Sequence, residues 1–241
     1  MKHILSLVRK CVEDYHMIDQ EDTIAVGVSG GKDSVLLLAA MAQLQRFYPK
    51  KFTVEAITVD PMIDGLDFAP IQQLCDSLQV PYHLLRIPIY DVVFVERQEK
   101  NPCSLCSKLR RGALSTELNR LGISKIALGH HRDDAVETML MNLFEEGRIA
   151  CFQPVTYLDR SKITQLRPLL YAWEEDVRRA VNRLGLPIVE NPCPADGSTQ
   201  REDVKILLQN LEKDYPHLRT KLFGAMQRLP LYGWSLQEDQ R

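Results

Sequence analysis

Hydrophobic residues along the first two thirds of the chain follow two alternating patterns. Short apolar runs, typical of buried parallel strands, lie at 23–28, 52–59, 81–87 and 125–128. Apolar residues recur at helical spacing in the neighbouring ranges 4–18, 35–45, 66–78, 105–121 and 132–144. Strands that alternate with helices predict an α/β fold, in which a parallel sheet is covered by helices on both faces.

The last third of the chain is predicted to be mostly helical. Helices are expected at 174–184, 200–211 and 216–227, short extra strands at 164–166 and 187–189, and a polar final stretch after them. The parallel sheet should then have about five strands. We expect one main domain organised as an N-terminal helix at 1–20, an α/β domain at 21–192 that includes the CxxC motif, and a C-terminal helical segment at 193–241 packed on it.

Composition and charge restrict the class of protein. With 241 residues, 45% hydrophobic and 26% charged, the chain is typical of a folded globular protein. No apolar run approaches the ~18 residues of a membrane span, and the N-terminus lacks the apolar segment of a signal peptide, so we expect a cytoplasmic protein without a membrane partner. A formal net charge of −2 gives no global indication of a nucleic-acid partner.

An RNA partner would therefore need a local basic patch, and the chain offers two. Each is also what an ordinary solvated helix face would contain. The first patch follows the CxxC motif and comprises Lys108, Arg110 and Arg111; the second comprises Arg178, Arg179 and Arg183, with Lys205 further along.

A glycine-containing turn separates the first predicted strand from the helix after it. Its sequence, SGGKDS at 29–34, places backbone N–H groups at a helix N-terminus, which is a favourable site for phosphate. Gly30 and Gly31 allow close backbone approach, Lys32 supplies positive charge, Ser34 can donate hydrogen bonds, and Asp33 could hold Mg²⁺. The adjacent glycines exclude the Walker spacing GxxxxGK[ST].

The six cysteines do not form the pattern of a disulfide scaffold. Cys103 and Cys106 form a CxxC motif at the start of a basic helix, where two thiolates can reach one metal. The third ligand is expected from Cys193, which lies in the proline-bounded turn 191–194. The other three, Cys11, Cys75 and Cys151, are interpreted as small core residues.

A second polar motif, GHHRDDAVET at 129–138, follows the strand at 125–128 and enters a helix. Open α/β sheets place their ligand crevice at such a position. From the residues alone two interpretations remain open: a metal site, or a helix start capped by Asp133 or Asp134.

The motifs together resemble a known family. SGGKDS is similar to the PP-loop of ATP pyrophosphatases, which cleave ATP between the α and β phosphates and attach AMP to a carbonyl-type oxygen. With PCSLCSKLRRG at 102–112, GHHRDDAVETMLMNL at 129–143 and Cys193, the set resembles the TtcA-type tRNA 2-thiocytidine synthetases of the PP-loop class. The likeness extends over about residues 1–225. The motif around Cys193 departs from the family's usual PCxxCG, because Pro194, Ala195, Asp196 and Gly197 follow the cysteine.

The resemblance implies an adenine nucleotide alpha hydrolase-like fold and a specific chemistry. Cys103, Cys106 and Cys193 would hold a [4Fe-4S] cluster, whose remaining iron would carry the transferred sulfur, and we assign these cysteines and Asp33 as catalytic. Mg²⁺-ATP would bind in the cleft. The expected nucleotide site comprises Ser29, Gly30, Gly31, Lys32, Asp33, Ser34, Asp60, Gly129, His130 and Asp134.

The implied reaction is adenylation of the C2 oxygen of a cytidine in a tRNA anticodon loop, followed by its replacement with sulfur. The implied partners are tRNA, a sulfur donor such as a cysteine desulfurase, and a second copy of the chain in a homodimer. Lys108, Arg110 and Arg111 are the expected RNA contacts. The alternatives are a related enzyme that makes 2-thiouridine, an ATP- and cluster-binding sensor without turnover, and a zinc-stabilised binding module. A tRNA amidine-forming enzyme would keep the adenylation but needs no cluster, so the three cysteines argue against it.

Overall fold

A twisted six-stranded sheet forms the centre of the molecule. The computed structural model describes residues 1–193 and 200–228. In these ranges the sheet order is β3-β2-β1-β4-β6-β5, and every neighbouring pair is parallel except β5 and β6. The strands are β1 (Asp22–Gly27), β2 (Phe52–Asp60), β3 (Tyr82–Arg86), β4 (Lys125–Ala127), β5 (Val155–Leu158) and β6 (Ile163–Leu166).

The helices lie where apolar spacing predicts them, with ends shifted by a few residues. They are α1 (Lys2–Asp14), α2 (Lys32–Leu44), α3 (Ala69–Leu78), α4 (Pro102–Leu121), α5 (Arg132–Glu146), α6 (Glu174–Leu184), α7 (Gln200–Asp214) and α8 (Leu218–Arg228). A π-helical turn, Asp91–Glu96, and a 3₁₀ turn, Pro168–Tyr171, precede α4 and α6. The remaining parts of the predicted segment 193–241, residues 194–199 and 229–241, lie outside the described residues.

Two details of the sheet differ from the sequence prediction. The strand expected at 164–166 is present as β6, but β5 was not predicted, and it adds an antiparallel edge strand. The strand expected at 187–189 is not formed. Its Val189 instead donates its N–H to the carbonyl of Gly30 at 3.0 Å, so this segment crosses the loop after β1 rather than extending the sheet.

The two faces of the sheet carry cores of different size. On one face, the mostly buried α2 packs with α1 and α6 over the large core, to which Ile24 and Val26 of β1 contribute. On the other face, Ala25 of β1 and Ile126 of β4 contribute to a smaller core completed by Leu118 of α4. Alternate residues of a strand point to opposite faces, which explains this division.

The strand order defines where a ligand crevice lies. β1 pairs with β2 on one side and with β4 on the other, so the connections after β1 and β4 leave the sheet side by side. This is a topological switch point, where open α/β sheets bind ligands at the carboxyl ends of the strands. No helix within the described ranges is long and apolar enough to cross a membrane.

Candidate active site

The phosphate loop between β1 and α2 is ordered by its own hydroxyl groups. The backbone N–H of Ser29 donates to Ser34 Oγ at 3.1 Å, and the Ser34 hydroxyl donates to the carbonyl of Gly31 at 2.9 Å. Gly30 has φ +88°, in the left-handed region that favours glycine. The N-terminus of α2, which begins after Gly31, therefore faces the crevice as an anion site.

Two close backbone approaches fix the position of this loop. A Cβ on Gly30 would lie 2.7 Å from the Cβ of Val189, and a Cβ on Gly129 would lie 3.0 Å from the backbone nitrogen of Ser34. Gly129 follows β4, so the absence of a side chain there lets the β4 connection contact the start of α2. Both glycines are required by contacts between segments that are distant in the sequence.

Charged side chains from three helices meet at the loop. Lys32 Nζ lies 3.1 Å from Asp33 Oδ2 and 3.2 Å from Glu174 Oε1, and Lys205 Nζ lies 2.8 Å from Glu174 Oε2. Burial acts to raise the pKa of Glu174, but the hydrogen bond from Lys205 and the charge of Lys32 lower it to about 2. Glu174 was missed from the sequence, where it is one of three consecutive acidic residues at the start of a helix.

Asp33 presents an unused carboxylate oxygen to the crevice. Its Oδ1 is buried without a hydrogen-bond partner, and His131 Nε2 lies 3.7 Å away. Carboxylate oxygens are the side-chain ligands that Mg²⁺ prefers. The chemistry of this atom fits the predicted magnesium site.

The second motif starts α5 with a capping box. The backbone N–H of Asp134 donates to His131 Nδ1 at 3.4 Å, and the backbone N–H of His131 donates to Asp134 Oδ2 at 2.9 Å. Asp133 accepts from the backbone N–H of Glu174 and from Arg219, each at 2.7 Å. The start of α5 is therefore capped, as one of the two interpretations expected. The capping residue is His131, however, and not Asp133 or Asp134.

Helix α7 is attached to α5 through Arg201. Its guanidinium lies 2.8 Å from Asp134 Oδ1, 3.6 Å from Glu137 Oε2 and 3.2 Å from the Thr138 hydroxyl. Glu137 is only 5% exposed, and burial raises its pKa to about 7. Both oxygens of Asp134, a predicted nucleotide-site residue, are thus engaged within the protein.

The remaining predicted nucleotide-site residues have contrasting surroundings. His130 packs its ring against Phe152 with 5.0 Å between centroids, and its Nδ1 is buried without a hydrogen-bond partner. Burial and the charge of Arg167 lower the pKa of His130 to about 4, so the imidazole is neutral at physiological pH. Asp60, at the end of β2, accepts the N–H of Met62 at 2.8 Å.

The three predicted ligand cysteines line one cavity of about 160 Å³. Cys103 and Cys106 lie in the first turns of α4, and Cys193 follows the segment that crosses the phosphate loop. Burial raises the pKa of the Cys106 thiol, and the neighbouring Cys193 and Cys103 raise it further. The other lining residues are mainly apolar: Pro61, Ile63, Ile89, Tyr90, Phe94, Ser107, Arg110 and Asn191.

The donor set of this cavity fits an iron–sulfur cluster. The cavity is lined by three thiols and by mainly apolar side chains, and no carboxylate lines it. Iron–sulfur clusters are held by cysteine thiolates. In the described ranges no group of three or more His, Cys, Asp or Glu side chains, these three cysteines included, is close enough together to hold a metal ion. The three thiols therefore match a cluster in kind and share one cavity, but they are not arranged as a ligand set in this structure. The other cysteines lie elsewhere: Cys11 and Cys75 are buried in the core, and Cys151 donates to the carbonyl of Ala135 at 3.4 Å.

Comparison with known proteins identifies the family. The PP-loop domain family matches residues 2–211. A tRNA-cytidine(32) 2-sulfurtransferase of Pelobacter propionicus is 38% identical over 222 residues, which cover 91% of this chain and 82% of that protein. A protein of the same name from Saccharophagus degradans is 37% identical over 230 residues, or 95% and 74% of the two chains. This chain belongs to the tRNA-cytidine 2-sulfurtransferase family.

Solved structures agree with this family's PP-loop fold. The U34-tRNA thiolase NcsA from Methanococcus maripaludis, solved with its [4Fe-4S] cluster, superposes with a TM-score of 0.75 at 24% identity, covering 93% of this chain and 77% of that one. Phosphoadenylyl-sulfate reductase from Candida auris gives a TM-score of 0.51 at 11% identity, covering 76% and 80% of the two chains. The sequence prediction of a PP-loop-type α/β fold is confirmed.

The two basic patches of this sulfurtransferase-family chain differ in how their charges are used. Arg178 and Lys205 lie 3.3 and 2.8 Å from Glu174, and Arg179 pairs with Glu175. In the first patch Lys108 and Arg111 are exposed, whereas Arg110 reaches the cysteine cavity. No acidic partner is present for these three among the described residues. The first patch therefore offers more available positive charge for RNA.

Proposed function

We propose that this protein uses ATP to activate the C2 oxygen of a cytidine in the anticodon loop of tRNA and replaces that oxygen with sulfur. The relatives' name places the cytidine at position 32, and we extend this position to the present chain. Single-stranded loops are the usual targets of sequence-specific RNA recognition, since their bases can be turned into a protein cleft.

The observation that carries the proposal is the proximity of the phosphate loop to the cysteine cavity. Val189 is hydrogen-bonded to Gly30 in the loop at 3.0 Å, and Cys193, four residues later, lines the cavity. Cys103 and Cys106 line the same cavity from α4. An activated base could thus meet a sulfur source without leaving the carboxyl edge of the sheet.

The first proposed step is adenylation. The N-terminus of α2 and Lys32 would bind the phosphates of ATP, and Asp33 would hold Mg²⁺ through its unpartnered oxygen. The C2 oxygen attacks the α-phosphorus, the bond from that phosphorus to the bridging oxygen breaks, and pyrophosphate leaves. The cytidine oxygen is then part of a good leaving group.

The second proposed step is substitution at C2. A sulfur nucleophile adds to C2, and AMP departs with the former cytidine oxygen, so no net oxidation or reduction is needed. Cys103, Cys106 and Cys193 would hold a [4Fe-4S] cluster, which when bound supplies an iron without a protein ligand at which sulfur is kept nucleophilic. The mainly apolar cavity walls, including Tyr90 and Phe94, would offer few hydrogen-bonding groups to water that could hydrolyse the adenylate.

A sulfur donor such as a cysteine desulfurase, and a homodimeric state, remain predictions from family likeness. tRNA is the proposed substrate, with phosphate contacts expected from the exposed Lys108 and Arg111. The protein is expected to act in the cytoplasm.

Nucleoside mass spectrometry tests the proposed reaction. tRNA from a strain that lacks this gene should contain no 2-thiocytidine, and the wild-type gene should restore it. Cys193→Ala should not restore it, whereas Cys75→Ala, which alters a buried thiol that does not line the cavity, should. Intact 2-thiocytidine in the deletion strain would overturn the proposal, and loss of 2-thiouridine instead would assign the chain to a different nucleoside.

Metal analysis tests the ligands separately from the reaction. Protein purified without oxygen should contain about four irons and four sulfides per chain, as a [4Fe-4S] cluster requires. Cys103→Ala, Cys106→Ala and Cys193→Ala should each lose them, and Cys75→Ala should keep them. Zinc in place of iron would contradict the cluster, and absence of tRNA-dependent pyrophosphate release would indicate a sensor rather than an enzyme.

A further inference from the structure

A second and larger cavity lies beside the cysteine cavity, between α4 and the β4–β6 half of the sheet. Its volume is about 530 Å³, within the range of small-ligand sites. We call it the α4–β6 cavity. It is lined by Ser107, Arg110, Arg111, Leu114, Ser115, Leu118, Ile126, Leu128, His130, Leu158, Ile163, Gln165 and Arg167.

The cavity carries positive charge without compensating acid. Arg110, Arg111 and Arg167 line it, no aspartate or glutamate does, and none of these arginines has an acidic partner among the described residues. Arg167 is 5% exposed, and although burial lowers its pKa to about 10, it is still cationic at neutral pH. A buried charge without a counter-charge is costly, so a ligand with negative charge or strong carbonyl dipoles would be stabilised here.

Polar atoms in the cavity walls also lack partners. Arg110 Nε, His130 Nδ1 and Arg167 Nε are all buried without a hydrogen-bond partner. Arg167 is otherwise held in place, because its terminal nitrogens donate to the carbonyl of Gln153, to the Thr156 hydroxyl at 3.0 Å and to Gln165 at 3.2 Å. Buried polar groups are nearly always satisfied in folded proteins, so these atoms are available to hydrogen-bond a polar ligand that enters the cavity.

The chemistry of the walls suits a planar heterocycle joined to a phosphate backbone. Leucine and isoleucine side chains from α4 and the sheet can contact the faces of a base, and arginine planes can stack on it. A neutral imidazole offers a hydrogen-bond donor or acceptor without adding charge. Arginine can also bind phosphate at the rim.

We propose that the α4–β6 cavity binds the target pyrimidine of the tRNA substrate and presents it to the cysteine cavity. Ser107 and Arg110 line both cavities, so a base bound in one lies next to the other. Arg110, His130 and Arg167 would contact the polar edge of the base, and Leu114 its face. This inference rests on the proposed function and adds the site that would select the nucleoside.

A filled cavity tests the assignment. Leu114→Trp places a large ring in the cavity, and Thr116→Trp adds the same ring to an exposed position of α4 that does not line it. With comparable melting temperatures and iron contents, Leu114→Trp should lower kcat/KM for tRNA thiolation about 100-fold or more while ATP affinity stays within about twofold of wild type. Thr116→Trp should retain wild-type thiolation.

The outcomes separate this inference from the proposed function. Wild-type protein that forms no 2-thiocytidine would refute the proposed function itself. Active wild type together with an equally active, stably folded Leu114→Trp would refute the cavity assignment alone. A tenfold loss of ATP affinity in Leu114→Trp would assign the cavity to the adenine nucleotide and would also overturn the inference.

Photocrosslinking gives a test that needs no variant. Wild-type protein is irradiated with tRNA that carries 5-iodocytidine at the target position, and the crosslinked peptide is identified by mass spectrometry. The expected crosslink lies at His130 or within residues 107–118 of α4. A crosslink confined to α7 or α8 would place the base elsewhere and refute the assignment.

Discussion

Lys32 of the phosphate loop and Lys205 of α7 are joined through one carboxylate, that of Glu174, at 3.2 and 2.8 Å. The C-terminal helical region thereby contributes a cation to the site formed by β1 and α2. Glu174 offers to both lysines the same kind of oxygen ligand that a phosphate would offer. Nucleotide phosphates must therefore compete with Glu174 for these two cations.

Removal of the Glu174 charge should strengthen ATP binding. In Glu174→Gln, Lys32 and Lys205 lose an anionic partner and present more positive potential to the phosphates. We expect the dissociation constant for ATP, measured by calorimetry, to fall about threefold to tenfold, and the protein to lose about 1 kcal/mol of stability. Glu175→Gln is the matched control, because Glu175 is exposed and pairs with Arg179 on the surface. Weaker ATP binding by Glu174→Gln would contradict this prediction.

Gly129→Ala should displace the phosphate loop. The new Cβ would lie 3.0 Å from the backbone of both Asp33 and Ser34, so the start of α2 must shift. We expect a loss of about 1–3 kcal/mol in stability and about tenfold in ATP affinity. Gly112→Ala is the control, because nothing lies within 4 Å of its Cβ position within α4, and it should gain about 0.5–1 kcal/mol. Unchanged ATP affinity in Gly129→Ala would show that the contact can relax.

The exposed residues of the first basic patch should determine the salt dependence of tRNA binding. Lys108→Gln/Arg111→Gln removes two cations without acidic partners, each able to contact a phosphate. We expect the slope of log K against log salt concentration to become shallower by about 0.7–0.9 per lost contact. Arg178→Gln/Arg179→Gln in the second patch, which removes cations already paired with Glu174 and Glu175, should change it less. An equal effect of both pairs would reject the first patch as the main RNA contact.

Glu137 should make stability depend on pH. Its pKa is raised to about 7 by burial, so the folded state favours the protonated acid. The resulting stabilisation of the folded state is fully present below the pKa of the unfolded chain, about 4.3, and is lost as pH rises to about 7. The loss in the free energy of unfolding is at most about 1.4 kcal/mol for each unit by which the two pKa values differ. Glu137→Gln should therefore become more stable relative to wild type between pH 5 and pH 8, by thermal denaturation. Exposed Glu202→Gln should show no such trend, and a constant difference in Glu137→Gln would contradict the prediction.

The sequence was sufficient where structure and chemistry are local. The strand before Ser29 and the helix after Gly31 follow from apolar spacing, and the turn between them follows from its glycines, so the phosphate loop was predictable. The CxxC motif at the start of α4 was identified for the same reason. The spacing of apolar residues and the residue preferences of turns both act over a few positions. A single sequence is therefore enough to identify them.

Contacts between distant segments were decided by the tertiary structure alone. The apolar run 187–189 looked like a strand, but the loop at Gly30 takes its hydrogen bond. Asp134 looked like a nucleotide ligand or a cap, but it bonds to the backbone of His131 and to Arg201 of α7.

Two further contacts leave no periodic signal in the sequence. His130 and Arg167 together line the α4–β6 cavity, and Glu174 pairs with Lys32 and Lys205. The sequence by itself determined the helices, strands β1 to β4 and β6, and the two reactive motifs. Only the packing of helices and strands far apart in the chain decided which polar groups satisfy one another and which remain available to a ligand, because that depends on three-dimensional proximity and burial.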